Sequence, residues 1–187
     1  MKQSESEYDK YAFAYDQIKE QKHPYYEYFS VPSLLRFLPD PEGLKGKSVI
    51  ELGCGSGYLT RKMANMGAKV SAMDISQKML YLAITREIKE RLGIFYFKHD
   101  AETYLEKYSQ KFDYVVSTSV LNYASTLSEL ENMVGSAYKY LKPGGSFVTN
   151  VIDYRGQKQH GFEFNWKGLP GIDGSQLEVC IGEVKFT

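Results

Sequence analysis

From about residue 46 onward, short apolar runs alternate with longer segments of helical periodicity. The runs are rich in β-branched and aromatic residues and are too apolar for strands with one solvated face; they span 48–52, 69–73, 94–97, 112–116 and 146–151. This alternation predicts an α/β fold of β-α-β units, with helices covering both faces of a parallel sheet.

Helix boundaries agree with this assignment. The helical pattern that starts at Tyr58 ends at Gly67, and Ser76 is a candidate N-cap for a helix that runs to Gly93. Thr126 and Glu129 match a capping box at the start of a third helix. The tetrapeptide Lys-Pro-Gly-Gly at 142–145 ends that helix and predicts a turn into the fifth strand.

Composition narrows the class of protein. The chain of 187 residues suits a single domain. Lys+Arg and Asp+Glu both number 23, so the charge balance provides no single-sign field for nucleic-acid binding. No signal core or membrane-length apolar run occurs, and Cys54 and Cys180 lie too far apart to suggest a disulfide framework or a metal site. We therefore expect a soluble cytoplasmic protein with no membrane, nucleic-acid or metal partner.

A glycine-rich loop carries the strongest functional signal. Gly53, Gly55 and Gly57 directly follow the first predicted strand and precede a helix, which lets the backbone turn sharply and approach a ligand. Dinucleotide sites need glycine at position 58, where this chain has Tyr58. No Lys or Arg occurs from 51 to 60, so the loop lacks the cation of a phosphate-binding loop. A nucleotide-like ligand without phosphates is indicated.

Acidic residues at neighbouring strand ends specify this ligand further. Asp74 ends the second predicted strand, where a carboxylate accepts hydrogen bonds from both hydroxyls of a ribose. Asp100 follows the third strand, within reach of an adenine amine, and Glu51 immediately precedes the loop. These positions predict an adenosine-like ligand.

Together these residues resemble the class I S-adenosylmethionine-dependent methyltransferases that act on small molecules. The family's motifs match, in order, segments 8–16, 51–57, Asp74, 100–101, 112–117 and 141–145. The resemblance implies a Rossmann-like, doubly wound, mostly parallel sheet with strand order 3-2-1-4-5. It also implies S-adenosyl-L-methionine as cofactor, S-adenosyl-L-homocysteine as product and a small-molecule methyl acceptor.

The resemblance also assigns roles to individual positions. The backbone from Gly53 through Cys54 and Gly55 to Gly57 would pass beside the methionine moiety, close to Glu51. The other implied contacts are Asp74 with the ribose, Ile75 and Met79 with the adenine faces, Asp100 and Ala101 with the adenine edge, Ser117 with the sulfonium end, and Tyr15 with the methionine carboxylate.

Segments on either side of the 46–151 core have different patterns. Residues 1–45 are predicted to form an aromatic helical lid, in which Tyr8, Tyr11, Tyr15 and Ile18 share one helix face. This stripe fits core packing and cofactor contact equally well. Residues 152–187 lack a helical period, and alternation at Leu177, Val179 and Ile181 predicts a hairpin.

The same family normally continues past the fifth strand with a helix and an antiparallel strand pair, which have no counterpart here. We therefore expect a shortened acceptor side, with an unpaired sheet edge that favours a homodimer.

Two functions from different classes fit the sequence. The first is methyl transfer to a small-molecule acceptor; the second is a non-catalytic module or partner subunit that binds the cofactor. A nucleotide-dependent oxidoreductase ranks third. Methyl transfer from a sulfonium depends mainly on alignment, so no catalytic residue is assigned. The candidates for an additional base are Tyr11, Tyr15, Asp153 and His160.

Overall fold

A computed structural model describes residues 3–21, 25–39, 41–151 and 182–184. These residues form one six-stranded sheet in the order β3-β2-β1-β4-β5-β6. The strands are β1 (Ser48–Leu52), β2 (Lys69–Asp74), β3 (Phe95–Lys98), β4 (Phe112–Thr118), β5 (Leu141–Asn150) and β6 (Gly182–Val184). Strands β1 to β5 pair in parallel, which confirms the predicted order, whereas β6 pairs antiparallel with β5.

Helices connect these strands and precede them. They are α1 (Gln3–Glu20), α2 (Val31–Leu35), α3 (Pro41–Leu44), α4 (Tyr58–Asn65), α5 (Gln77–Glu90) and α6 (Leu127–Tyr140). A π-helix spans Tyr25–Ser30, and 3₁₀ turns span Glu106–Tyr108 and Leu121–Tyr123. No helix in the described ranges is long and apolar enough to cross a membrane.

The core lies on both faces of the sheet because successive strand residues point to opposite sides. On one face, Val49 packs in a cluster with residues of α2, α4 and α5. On the other, Ile50 packs with Phe147 and with Met133 and Tyr140 of α6. The predicted coverage of both faces is confirmed.

Helix ends differ in detail from the prediction. The Ser76 hydroxyl accepts a hydrogen bond from the Met79 N–H at 3.1 Å, as expected of an N-cap. However, α5 ends at Glu90, because Arg91 already adopts a left-handed conformation with φ of 54°. The capping box of α6 is also shifted, since the Glu129 carboxylate accepts from the N–H of Ser125 at 2.6 Å instead of that of Thr126.

Helix α1 lies along α5 and runs in the same direction. The Asp9 carboxylate accepts hydrogen bonds from the Ser76 hydroxyl at 2.5 Å and the Lys78 N–H at 3.1 Å, at the start of α5. One turn before the end of α5, Arg86 donates to Asp16 at 2.6 Å. These polar contacts determine which face of α1 is turned inward.

The predicted tyrosine stripe is therefore only partly correct. Tyr8 and Tyr15 point toward the protein, whereas Tyr11 and Ile18 are 54% and 44% exposed. The buried face is rotated toward Ala12 and Asp16, because Asp16 pairs with a charge on α5.

The predicted hairpin at Leu177, Val179 and Ile181 lies outside the described residues. Strand β6 pairs with Phe147 to Thr149 of β5, so the expectation that this edge is unpaired is wrong over those positions. The homodimer stays a prediction.

A polar cluster joins three strands at the edge of the sheet where β1 and β4 begin. One oxygen of Asp113 in β4 accepts from the Ser48 N–H at 2.8 Å, the Ser48 hydroxyl at 2.6 Å and the Lys142 ammonium at 3.0 Å. Partial burial raises the pKa of Asp113, but the hydrogen bonds from Ser48 and Lys142 outweigh it and lower the pKa to about 2.

This cluster predicts a pH-dependent contribution to stability. A lowered pKa in the folded state stabilises the fold above the ordinary pKa, and this stabilisation is lost as the pH falls through the lowered value. We expect wild type to exceed Asp113→Asn by about 2 kcal/mol in free energy of unfolding at pH 5, and by much less at pH 2. Urea titrations at several pH values measure this difference; a pH-independent difference would contradict it.

Candidate cofactor-binding site

The ends of β1, β2 and β4, which carry or precede several of the predicted site residues, meet at the carboxyl edge of the sheet. Leu52 at the end of β1 lies beside Met73 of β2 on one side and beside Ser117 of β4 on the other. The chain passes from β1 to β2 and β3 in one direction and then returns to β4 on the opposite side of β1. This edge is therefore the topological switch point, where open α/β sheets bind their ligands.

The glycine loop connects β1 to α4 at this edge. Its start is attached to β2, since the Cys54 N–H donates to the Met73 carbonyl at 2.9 Å. The loop closes on itself where the Gly57 N–H donates to the Cys54 carbonyl at 3.0 Å, and α4 begins at the next residue. The loop is thus a tight strand-to-helix turn, as predicted.

Neighbouring side chains explain two of the three glycines. A Cβ atom at Gly53 would lie 2.3 Å from a methyl group of Val120, and one at Gly57 would lie 2.4 Å from the Tyr96 hydroxyl. Both residues also have positive φ, at 67° and 82°. A Cβ atom at Gly55 would meet nothing within 4 Å. Packing therefore requires glycine at 53 and 57, whereas Gly55 leaves an open face on the loop.

Asp74 at the end of β2 holds this loop in place. One carboxylate oxygen accepts from the Gly55 N–H at 2.7 Å, and the other accepts from the Ser76 N–H at 2.8 Å. Burial raises the pKa of Asp74, although the hydrogen bonds from Ser76 and Gly55 and the charge of Lys19 counteract the effect. Each oxygen has lone pairs left, so the carboxylate can accept further hydrogen bonds from a ligand.

Glu51, near the end of β1, and Cys54, within the loop, both have buried side chains. Glu51 is only 2% exposed and accepts a hydrogen bond from the Thr60 hydroxyl of α4. Burial raises the pKa of Glu51 to about 7, despite that hydrogen bond. Burial also raises the pKa of the Cys54 thiol well above its usual value, so this residue packs as a neutral thiol and lacks the thiolate that redox chemistry needs.

The residues expected near an adenine differ in how exposed their side chains are and in what they contact. Ile75 is half-buried, whereas Met79 in the first turn of α5 has no exposed surface, so it offers none to a ring in this arrangement. One Asp100 carboxylate oxygen accepts from the Glu102 N–H at 3.0 Å. Ala101 packs against the core on the α6 side of the sheet.

Further hydrogen bonds near this edge involve Ser117 of β4 and tyrosines of α1, of the π-helix and of the turn after β4. The buried Ser117 hydroxyl forms a 2.7 Å hydrogen bond with Thr149 of β5. Tyr26 donates to the Tyr15 hydroxyl at 3.2 Å, and the Tyr8 hydroxyl forms a hydrogen bond with that of Tyr123 in the turn after β4. We call Tyr8, Tyr15, Tyr26 and Tyr123 the tyrosine cluster; it links α1 to the turn that follows β4.

Comparison with known proteins identifies the family. Residues 49–145 match the family described as methyltransferase domain, which is more than half of the chain. The chain belongs to this methyltransferase family. The match begins in β1, includes the glycine loop and Asp74, and ends at the turn within β5.

Individual relatives agree with this assignment. The ubiquinone biosynthesis O-methyltransferase of Proteus mirabilis is 30% identical over 112 residues, which are 60% of this chain and 44% of that protein. The S-adenosylmethionine-dependent methyltransferase of Mesorhizobium loti superimposes with a TM-score of 0.53 and 32% identity, covering 64% of this chain and 52% of that one.

A further solved structure is phosphoethanolamine N-methyltransferase 2 of Haemonchus contortus, in complex with phosphomonomethylethanolamine and S-adenosylhomocysteine. It has a TM-score of 0.63 and 26% identity, covering 76% of this chain and 33% of that one. The chain spans about half the length of the curated relatives it matches.

Only two of the four base candidates of this methyltransferase chain, Tyr11 and Tyr15, lie among the described residues. Tyr11 is exposed on the outer face of α1. Burial raises the pKa of Tyr15 to about 12, so its phenol is neutral at physiological pH. Asp153 and His160 lie outside the described residues. Within the described ranges, no cluster of His, Cys, Asp or Glu could hold a metal ion.

Sequence reasoning missed Lys19. Its ammonium lies 4.7 Å from the ring centroid of Tyr15 and 5.0 Å from that of Tyr26. Its positive charge also partly offsets the effect of burial on the pKa values of Glu51 and Asp74. The available signal was the spacing, because residues 15 and 19 are one helical turn apart and therefore share a face.

Proposed function

We propose that this chain binds S-adenosyl-L-methionine at the glycine loop and transfers its methyl group to a small-molecule acceptor, leaving S-adenosyl-L-homocysteine. The observation that carries the proposal is the open face of Gly55 next to the Asp74 carboxylate. A backbone surface without side chains beside a buried acid suits a nucleoside whose ribose hydroxyls are free.

The residues around the loop fit the rest of this cofactor. Lys19 supplies positive charge near a ligand carboxylate, and the buried Glu51 supplies an acidic group near a ligand amine. Asp74 would hold the ribose, and Ile75 would cover part of the adenine.

The bound sulfonium group supplies an activated methyl, so the chain needs mainly to align an acceptor and to exclude water. Helix α1 would contribute to both tasks, because its Tyr8 is hydrogen-bonded to Tyr123 in the turn after β4 and its Tyr15 is close enough to Asp74 to feel that charge. Tyr15 is neutral at physiological pH and would donate a hydrogen bond rather than take up a proton. Glu51 titrates near pH 7, but it is buried below the loop and bound to Thr60, away from an acceptor.

The acceptor is inferred only as a class. The name of the Proteus mirabilis relative specifies transfer to oxygen, and that of the Haemonchus contortus relative specifies transfer to nitrogen. The higher identity to the first favours a hydroxyl-bearing small molecule. Both classes belong in an acceptor screen.

Calorimetry with the purified chain tests the cofactor assignment. We expect S-adenosylhomocysteine to bind with a dissociation constant on the order of 10 μM, and NAD to give no heat. Binding of NAD without S-adenosylhomocysteine would contradict the proposal and favour an oxidoreductase. Formation of S-adenosylhomocysteine from S-adenosylmethionine with phenolic or amine acceptors then separates an enzyme from a module that binds the cofactor without turnover.

A further inference from the structure

Arg61 occupies an unusual position behind the glycine loop. It lies in the first turns of α4 and is only 7% exposed, although its charge is far more stable in water than in a protein interior. Helix side chains point back toward the helix N-terminus, so Arg61 reaches the loop that precedes its own helix. A buried guanidinium must be satisfied by several acceptors at once.

The three partners of Arg61 belong to three different elements. One terminal nitrogen donates to the Ser56 carbonyl of the loop at 2.9 Å. The other terminal nitrogen donates to the carboxylate of Glu20, the last residue of α1. The inner nitrogen lies 3.6 Å from the carboxylate of Glu90 at the end of α5. A single planar group thus joins the glycine loop to α1 and α5.

The Ser56 carbonyl lies where the glycine loop turns into α4, so a contact there affects the shape of the loop. Its carbonyl precedes Gly57, whose positive φ turns the chain into α4, and its own hydroxyl faces inward without a partner in the described structure. A hydrogen bond to this carbonyl therefore restrains the peptide plane at the end of the loop. The restraint acts on the backbone that the proposed cofactor would touch.

Arg86 provides an internal comparison. It donates to Asp16 at 2.6 Å and lies 3.7 Å from Glu20, so it also ties α1 to the rest of the protein. Its described contacts do not include the glycine loop. The two arginines share Glu20 but differ in their access to Ser56.

We propose that Arg61 is a positioning residue that holds the glycine loop in its binding shape and, through Glu20, makes cofactor affinity depend on the seating of α1. This rests on the proposed function, because the ligand is taken to be S-adenosylmethionine or its product. The guanidinium is required, since an ammonium cannot donate to Ser56 and Glu20 in the same fork geometry.

The test compares Arg61→Met with Arg86→Met in the full chain, using the dissociation constant for S-adenosylhomocysteine from calorimetry. We expect Arg61→Met to weaken binding about 10-fold or more and Arg86→Met to weaken it less than about 3-fold, although both lose a contact with Glu20. Wild-type affinity in Arg61→Met, or equal losses in the two variants, would overturn the proposal. Arg61→Lys keeps the buried charge; it should also weaken binding about 10-fold, and wild-type affinity there would overturn the need for the fork.

The proposed dependence of cofactor affinity on the position of α1 needs a second measurement. Hydrogen exchange should show that S-adenosylhomocysteine slows exchange in α1 of wild type but not of Glu20→Gln, whose glycine loop is still protected. Glu20→Gln should weaken binding in the wild-type background and add less than about a 3-fold loss when combined with Arg61→Met, since only its contact with Arg86 then remains to be lost. Equal effects in both backgrounds would overturn the coupling. Failure of wild type to bind S-adenosylhomocysteine contradicts the proposed function instead.

Discussion

Alanine in place of Gly53 is expected to weaken binding of S-adenosylhomocysteine by about 100-fold or more, equivalent to about 2.7 kcal/mol. The φ of Gly53 is 67°, and left-handed backbone costs an alanine about 1–2 kcal/mol. The new Cβ would lie 2.3 Å from a Val120 methyl group, and relief of such overpacking costs typically about 1–3 kcal/mol. Because Val120 is β-branched and stiff, we expect the loop to move and its proposed contact with the cofactor to be lost.

Two further variants separate the steric clash with Val120 from the backbone strain of a left-handed alanine. Val120→Ala removes both methyl groups and leaves its Cβ at 3.4 Å, so it should restore part of the binding when combined with Gly53→Ala. Gly46→Ala is the matched control, since Gly46 has φ of 74° with nothing within 4 Å of the new Cβ. It should lower stability through backbone strain and leave the dissociation constant unchanged. Calorimetry and thermal unfolding measure both quantities; wild-type affinity in Gly53→Ala would contradict the clash.

Asp74→Ala has the second large expected effect, a loss of about 100-fold or more in affinity for S-adenosylhomocysteine. Hydrogen bonds to a charged acceptor are worth about 1.5–3 kcal/mol each, and the proposed ribose contact includes two of them. The substitution also removes the acceptor of the Gly55 and Ser76 N–H groups, which loosens the loop. Asp74→Asn should weaken binding as well, because its amide provides one acceptor oxygen for these two donors and directs its NH₂ group at the other.

A ligand comparison distinguishes ribose recognition from loop support. Wild type should bind S-adenosylhomocysteine more tightly than its 2′-deoxy analogue, whereas Asp74→Ala should bind the two alike. Glu131→Gln, on the exposed surface of α6, is the control for loss of one negative charge and should bind as wild type does. Equal discrimination by wild type and Asp74→Ala would show that Asp74 supports the loop without contacting the ribose.

Local patterns were enough to predict the strands and the glycine loop, whereas the strand order was predicted from the resemblance to a known family. The boundaries of β1 were predicted exactly as found, because its apolar run is flanked by Lys47 and by Gly53, which begins the turn. The N-caps at Ser76 and Thr126 were also predicted correctly, since a cap depends on residues within one turn. Local rules failed at Arg91, where the chain leaves α5 before reaching the glycine at 93.

Contacts between distant residues account for what the sequence did not reveal. The inward face of α1 could not be read from the tyrosine spacing, because the Asp16 and Asp9 contacts with α5 orient the helix. The crowded surroundings of Gly53 likewise depend on Val120, which lies 67 positions further along the chain.

The chain alone therefore identifies an α/β protein with a ligand loop and an acidic strand end, because periodicity, turns and caps follow from short-range sterics and hydrogen bonds. Folding adds the polar contacts that surround that loop. Arg61, Glu20 and Lys19 look like ordinary surface charges in the sequence, and only the packing of α1, α4 and α5 brings them to the site. Of the three, Arg61 is buried, so its contacts with the loop and with Glu20 are partly shielded from water.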